Sequence, residues 1–381
     1  MVKNILITGG AGFIGSHLAE SLFQKGYNIT ILDNLSNQVH ENYFTKNNLK
    51  KLQRFSIFFQ GDIRNQKDNL KVLENQDVLI HLAAETGTGQ SMYQIEQYID
   101  VNLRGLGILL EQITNGSSSI QKIILSSSRA VYGEGKYFCQ EHGNIYPSSR
   151  KIPELIKGNF DIQCPFCNHS LKCVPTDEES PIKPLSIYGI TKASQEQLVK
   201  NVCEHLGIDY VIFRYQNVYG PGQSLSNPYT GILSIFSTRL LNGHPINIWE
   251  DGLESRDFIY IDDVIEATIL GLEHNQANNQ IFNVGSGRMI SVLQVAEILR
   301  HQYGLDSEID LTISGNFRVG DIRHNCADLS KIKNQLGFQP KYTFEQGISK
   351  FVKWVKQQSV SKDYYESSID ELKRIKGLFY G

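Results

Sequence analysis

The chain has 381 residues, 40% hydrophobic and 20% charged, with a formal net charge of -3. These are ordinary globular values, so they exclude general disorder and give no electrostatic pull towards nucleic acid. Apolar runs are short and interrupted, and Met1 leads straight into a strand-like segment, which predicts no membrane span, no signal segment and a cytoplasmic location.

Residues 2–8 form an apolar run stopped by glycines, which predicts a buried parallel strand. A helical pattern follows, with Phe13, Ile14, Leu18, Leu22 and Phe23 on one face, and residues 28–32 make a second strand ending at Asp33. Further strand-like runs lie at 55–59, 77–82, 121–126 and 209–213, separated by helix-like segments at 66–74, 93–113 and 187–206. This alternation predicts an α/β doubly wound parallel sheet, with a ligand crevice at the carboxyl ends of its strands. Length suggests two or three domains. We divide the chain into a first domain over 1–215, a smaller, mainly substrate-binding α+β region over 216–357 and a tail over 358–381, expected to be a loosely packed helix without function. Residues 134–176 break the pattern as a long irregular insertion holding four of the six cysteines. Loops of that length are usually functional or ordered by something extra.

Gly10, Gly12 and Gly15 satisfy G-x-G-x-x-G between the first strand and the first helix, and Gly9 extends the pattern. Such a turn needs positive φ and no side chain, so a pyrophosphate can approach the backbone and the helix N-terminus. Asp33 follows Gly15 by eighteen residues, where a carboxylate accepts hydrogen bonds from ribose hydroxyls. It repels a 2′-phosphate, and no Lys or Arg lies between Asp33 and Lys46 to compensate, so NAD is the expected coenzyme. Asp62 and Ile63, after the third strand, are placed to flank the adenine.

Tyr188 and Lys192 share one helical face, so an ammonium there lowers the tyrosine pKa and prepares a base. Ser126, Ser127 and Ser128 end a strand at the carboxyl edge of the sheet, where a hydroxyl can reach a reacting oxygen. Either signal alone is common by chance.

Together they carry a resemblance. The pieces are Thr8 to Gly15, His81-Leu82-Ala83-Ala84, Ser126-Ser127-Ser128 with Val131-Tyr132-Gly133, Tyr188 to Lys192, Arg214 to Gly220 and Arg256 to Tyr260. On these the chain resembles the extended short-chain dehydrogenase/reductase family, and within it the nucleotide-sugar epimerases and dehydratases, over roughly residues 1–355. The resemblance implies a Rossmann-type NAD-binding domain over 1–215 and a catalytic set of Ser128, Tyr188 and Lys192. It implies a coenzyme site of Gly9, Gly12, Phe13, Ile14, Gly15, Asp33, Asn34, Asp62, Ile63, Leu82, Ala83, Ala84 and Asn102, shared with Tyr188 and Lys192. Glu85, Ser128, Arg129, Asn217, Arg256 and Arg318 fall on the substrate side, the last three at positions that hold the nucleotide diphosphate. A homodimer through the helices at 93–113 and 187–206, both apolar on more than one face, is also implied.

The 4,6-dehydratases of this family place an Asp-Glu pair directly after the catalytic hydroxyl residue. Here those positions are Arg129 and Ala130, and alanine cannot abstract a proton, so the resemblance favours a C4 epimerase that retains its NAD and needs no metal for the chemistry. Segments 84–93, 128–135 and 318–324, with the cysteine insertion, are similar to the bacterial dTDP-L-rhamnose 4-epimerase group, which makes dTDP-6-deoxy-L-talose. Glu85 departs from that group's Ala-Ala-Gln. A UDP-hexose 4-epimerase, a 4,6-dehydratase with relocated carboxyls and a non-catalytic NAD-binding sensor remain as alternatives. The retained serine, tyrosine and lysine speak against the sensor.

Cys139-x-x-His142 and Cys164-x-x-Cys167 are two knuckles separated by twenty-one residues, a set suited to tetrahedral zinc. With no ligand position vacant, such a zinc is structural, and it orders a loop that apolar packing does not. Cys173 is a spare ligand, His169 is expected to face solvent, and reduced thiols without metal are the alternative.

Overall fold

The computed structural model describes residues 2–40, 46–116, 118–229, 231–359, 362–375 and 377–380. The first half follows the expected alternation. It contains β1 (Asn4–Thr8), the helix Phe13–Gln24, β2 (Asn28–Asp33), β3 (Ile57–Gln60), the helix Gln66–Leu73, β4 (Val78–His81) and β5 (Lys122–Ser128). The helix expected over 93–113 runs from Ile95 to Thr114, with a π-helical turn at Asp100–Gly105. The insertion adds β6 (Tyr137–Cys139), β7 (Gly143–Ile145) and β8 (Lys172–Cys173). After the helix Ile187–Leu206 come β9 (Asp209–Tyr215), β10 (Asn217–Tyr219), β11 (Ile246–Ile248), β12 (Ser255–Tyr260), β13 (Gln280–Val284), β14 (Met289–Ser291), β15 (Leu311–Ile313), β16 (Phe317–Arg318) and β17 (Phe379–Tyr380).

Seven strands form one parallel sheet in the order β13-β9-β5-β4-β1-β2-β3. The sheet thus draws on chain from both sides of residue 215. Its two faces explain why these strands read as unbroken apolar runs. Ile5, Ile7, Val78, Ile80 and Ile124 enter one buried cluster, while Leu6, Leu79, Ile123 and Leu125 enter the other. A period of two sends alternate residues to opposite faces, and helices cover both. Each such side chain contributes about 1.5–3 kcal/mol on full burial. Beyond residue 215, β10, β12 and β14 form a small sheet beside the carboxyl ends of the main one.

Two expectations are corrected. The insertion is not irregular: β7, β6 and β8 form an antiparallel sheet over its own apolar cluster of Tyr137, Cys139, Ile145, Ile162, Cys164 and Leu171. Strands of two or three residues are too short to show a period in sequence. The tail is not loosely packed either. Its helix Tyr365–Arg374 buries Tyr365, Ile369 and Leu372, an i, i+4, i+7 stripe, and β17 pairs with β16. Among the described residues no helix is long and apolar enough to cross a membrane.

Candidate active site

β1 ends in the glycine turn. Gly9 has φ +70°, and a Cβ there would stand 2.7 Å from the Ala83 nitrogen; one on Gly15 would stand 2.5 Å from the Gly9 oxygen. The turn can close against β4 and against its own helix only without those side chains. Gly12 is the N-cap of the helix Phe13–Gln24 and offers no side-chain cap, so the first amides rely on whatever occupies the cavity. That cavity measures about 890 Å³, and Gly9, Gly12, Phe13, Ile14 and Gly15 line it.

Asp33 closes the turn from β2. Its Oδ2 accepts the Ala11 N–H at 3.0 Å, its Oδ1 accepts the Leu35 N–H at 2.9 Å and stands 3.5 Å from His40 Nε2, and the residue lines the cavity. Asn34, Asp62, Ile63, Leu82, Ala83 and Ala84 share the wall. Burial pushes the Asp62 carboxyl up, but hydrogen bonds from Arg64, at 2.7 Å, and Asn34, at 3.0 Å, bring it down to about 2.

The strand-end hydroxyl and the Tyr–Lys pair meet on this cavity. Ser128 ends β5, and its Oγ accepts the Ala130 N–H at 3.1 Å. The helix Ile187–Leu206 begins at Ser186, whose Oγ accepts the Gly189 N–H at 3.1 Å, and so carries Tyr188 in its first turn. Burial pushes the Tyr188 phenol up, while its hydrogen bond with Ser128 and the charge of Arg129 pull it back. Lys192 donates to the Ser126 carbonyl at 2.8 Å; burial pushes it down to about 7, opposed by the Glu196 carboxylate. Arg129 is thus a cation acting on the phenol that sequence reasoning did not assign to that role, beside the Lys192 the sequence pointed to.

Sequence reasoning missed what stands behind this set. Tyr98 is fully buried, donates to the Thr86 carbonyl at 2.6 Å and presents its ring edge-on to Tyr188, 6.4 Å between centroids. Ser127 donates to Glu196 at 2.5 Å, and Arg214 forks onto the same carboxylate at 3.0 and 2.8 Å. No local pattern marks Tyr98; Arg214 lay inside a motif already noted.

The same cavity is lined by Glu85, Arg129, Asn217 and Arg256, joined by Gln216, Gly320 and Asp321. Arg256 donates to the carbonyls of Ser255, Ile322 and Arg323 at 2.8, 3.0 and 3.1 Å. Among the described residues, neither Arg129 nor Arg256 lies within ion-pair distance of a carboxylate, and burial with the like charge of Arg256 brings Arg129 down to about 10. Two guanidiniums lining one cavity, neither in a direct ion pair, suit a dianionic ligand.

Two candidates lie off the wall. Asn102 donates to the Glu85 carbonyl at 3.1 Å and to Thr191 Oγ1 at 3.0 Å, and accepts the Glu85 N–H at 2.8 Å, so it ties the wall from behind. Arg318 pairs with Asp321 at 2.9 Å, sits 5.5 Å over Trp249 and presses on Gly89, where a Cβ would meet its Nη1 at 2.2 Å.

In the insertion, the ligand atoms of Cys139, His142, Cys164 and Cys167 all lie within 4.8 Å of one another. Cys139 Sγ is 3.6 Å from His142 Nδ1 and 3.6 Å from Cys167 Sγ, and Cys164 Sγ is 3.6 Å from the same Nδ1. Tetrahedral zinc with bonds of about 2.3 Å to sulfur and 2.0–2.1 Å to nitrogen spaces its ligands by roughly 3.6–3.8 Å. All six cysteines are unbridged. Cys173 stands outside the set, its thiol pushed up to about 12 by burial, and His169 is exposed beside Glu141.

A glycine turn facing a hydroxyl, a phenol and a lysine across one cavity is the arrangement of the extended short-chain dehydrogenase/reductases, and this fold and site are of that class. A model described as NAD dependent epimerase/dehydratase family matches residues 168–285, and one described as GDP-mannose 4,6 dehydratase matches 6–150. The chain is 36% identical to a dTDP-L-rhamnose 4-epimerase of Burkholderia thailandensis, over 93% of this chain and 96% of that one. It is 32% identical to a putative UDP-glucose 4-epimerase of Methanocaldococcus jannaschii, over 93% and 99%. Its fold matches the crystal structure of UDP-glucuronic acid 4-epimerase from Bacillus cereus with a TM-score of 0.76 at 28% identity, covering 93% and 99%. The chain belongs to the NAD dependent epimerase/dehydratase family. It is an NAD-dependent nucleotide-sugar epimerase.

Proposed function

We propose that the protein interconverts dTDP-L-rhamnose and dTDP-6-deoxy-L-talose at C4. The observation that carries the reaction type is the pair Arg129-Ala130 directly after Ser128. It puts a cation and a methyl group where elimination of water needs an acid and a base. The sugar and nucleotide rest on the similarity to the Burkholderia thailandensis protein over nearly the whole of both chains.

The residues present fit NAD. The uncapped helix start at Gly12 suits the pyrophosphate, Asp33 the ribose, and Asp62 with Ile63 the adenine rim. When bound, NAD supplies a reversible hydride acceptor beside C4. Tyr188 takes the C4 hydroxyl proton as that carbon is oxidised and returns it on reduction, Ser128 holds the same oxygen, and Lys192, fixed by Ser126, orients the ribose side. Arg129 and Arg256, with Asn217, receive the diphosphate, so the sugar can present either face at C4 while its anchor stays in place.

A second reading, a UDP-hexose 4-epimerase, is supported by the similarity to the Methanocaldococcus jannaschii protein. The domain division at residue 215 is carried in the proposal with β13 returning from beyond it to the NAD-binding sheet. So does a structural zinc on Cys139, His142, Cys164 and Cys167. A homodimer is favoured by Ile95, Ile99, Ile190 and Leu198, which are 44%, 45%, 45% and 38% exposed on two neighbouring helical runs.

The test is to incubate the NAD-loaded protein with dTDP-L-rhamnose, adding no coenzyme, and to record proton NMR spectra. The expected result is a mixture of the rhamnose and 6-deoxytalose nucleotides. An unchanged spectrum, with UDP-glucose converted to UDP-galactose by the same preparation, would replace this reading by the second.

A further inference from the structure

The insertion and the tail are additions to the Rossmann core, and both end on the same short segment. Phe317 shares an apolar cluster with Leu155 and Phe160 of the insertion, joined by Val319 and the tail's Tyr380. From the insertion side, Arg150 donates to the Asp321 carbonyl at 2.9 Å, and Asp161 accepts from Arg323 at 2.9 Å. From the tail side, β17 is the only strand paired with β16 among the described residues, with Phe317 opposite Tyr380 and Arg318 opposite Phe379. The Val319 N–H donates to the Leu378 carbonyl at 2.9 Å, and the rings of Phe317 and Tyr380 stack 4.9 Å apart. The other face of this segment is cavity wall: Gly320, Asp321 and Ile322 line it, and the carbonyls of Ile322 and Arg323 hold the Arg256 guanidinium.

We propose that the insertion and the tail form a clamp on residues 317–323 that positions Asp321 and Arg256, and so sets the affinity for the nucleotide sugar. The inference rests on the nucleotide-sugar site proposed above. A strand pair two residues long has almost no stability of its own. Its geometry must come from the groups gripping it, and Phe317 is held between both. Tyr380 is accordingly a positioning residue: it touches neither the cavity nor the glycine turn, yet it supports the segment that carries Asp321 and whose carbonyls hold Arg256. The tail meets the cavity at a second point, because Glu371 accepts from Tyr229, which lines it.

The test uses the NAD-loaded full-length protein, Tyr380→Ala, Tyr380→Phe and a chain ending at Ser359. KM and kcat are measured with the nucleotide sugar that the wild type converts, alongside NAD content and amide exchange over 317–323. The expected result is a KM raised about tenfold, equivalent to about 1.4 kcal/mol, in Tyr380→Ala and the shortened chain. Faster amide exchange at Val319, unchanged NAD content and a kcat close to wild type should accompany it. Tyr380→Phe keeps the stacked ring and should keep the wild-type KM. A wild-type KM in Tyr380→Ala would overturn the clamp, as would a raised KM accompanied by losses of kcat and NAD content or a Tyr380→Phe as impaired as the alanine. If the shortened chain is insoluble, the two point variants decide. A wild type that converts no nucleotide sugar defeats the substrate reading alone. The clamp is then judged by dTDP affinity and amide exchange in Tyr380→Ala against wild type.

Discussion

The Lys192 ammonium donates to the Ser126 carbonyl at 2.8 Å, so the strand that ends in Ser128 also fixes the lysine one helical turn from Tyr188. The hydroxyl, the phenol and the lysine are thereby a single unit set by the pairing of β5 with the helix behind it. Burial takes the lysine down to about 7. Its unfolded value is about 10.4, so between those limits the unfolded chain binds more protons than the folded one. Stability of the coenzyme-free protein should therefore rise as pH goes from about 7 towards 10. Lys192→Met should flatten that rise and gain most over wild type below pH 7, as read from melting temperatures across pH.

Tyr188→Phe should lower turnover by about 10²–10⁴-fold, the usual size of a lost acid–base group. NAD content and melting temperature should stay close to wild type, since the ring still packs against Tyr98. An active Phe variant would remove the phenol from the mechanism.

Arg129→Met tests the cation beside the phenol. The positive charge of Arg129 favours phenolate, so its loss should raise the Tyr188 pKa further and move the rising limb of kcat/KM to higher pH. Loss of a charge-assisted contact of about 1.5–3 kcal/mol should also raise KM by roughly one to two orders of magnitude. A pH profile that does not move would assign the cation to substrate binding alone.

Asp33→Asn keeps an acceptor for only one of the Ala11 and Leu35 amides, which the two carboxylate oxygens now serve separately, and removes the charge at the ribose. NAD should bind about tenfold more weakly, a loss of about 1.4 kcal/mol, and discrimination against NADP should shrink. Equilibrium dialysis with both coenzymes checks the change.

Metal analysis should find one zinc per chain. Cys164→Ser should lose it and about 3 kcal/mol of stability, lowering the melting temperature by roughly 4 °C. Cys173→Ser should keep the metal, because its sulfur stands outside the ligand set. Equal zinc content in both variants would put the ion elsewhere.

The strands β1, β2, β4, β5 and β9 and the glycine turn were legible because burial on both faces leaves an apolar run, and a phosphate turn leaves glycines. The candidates that meet on the cavity were legible because a motif ties each to a strand end or to one helical face. What escaped depends on contacts distant in the chain. Asn102 sits in a π-helical turn, which rotates it behind the wall by a shift that no residue pattern marks. Arg318 looked like a phosphate ligand but is engaged by Asp321 and Trp249, while Arg323, five residues on, is buried among Asp161, Glu250 and Asp251. The small core of the insertion uses its own metal-type cysteines as apolar members, so composition alone read it as lacking packing.

The order of the central sheet also governs how it can be assembled on the ribosome. β1 to β5 can pair as soon as Ser128 has emerged, and β5 then stands as an open edge carrying Ile123, Ile124 and Leu125. Its permanent neighbour β9 is made only after the insertion and the helix Ile187–Leu206. A nascent chain is therefore most prone to aggregate while those segments are synthesised. An insertion that folds back through the short β6–β7 hairpin satisfies its own first strands while that edge waits.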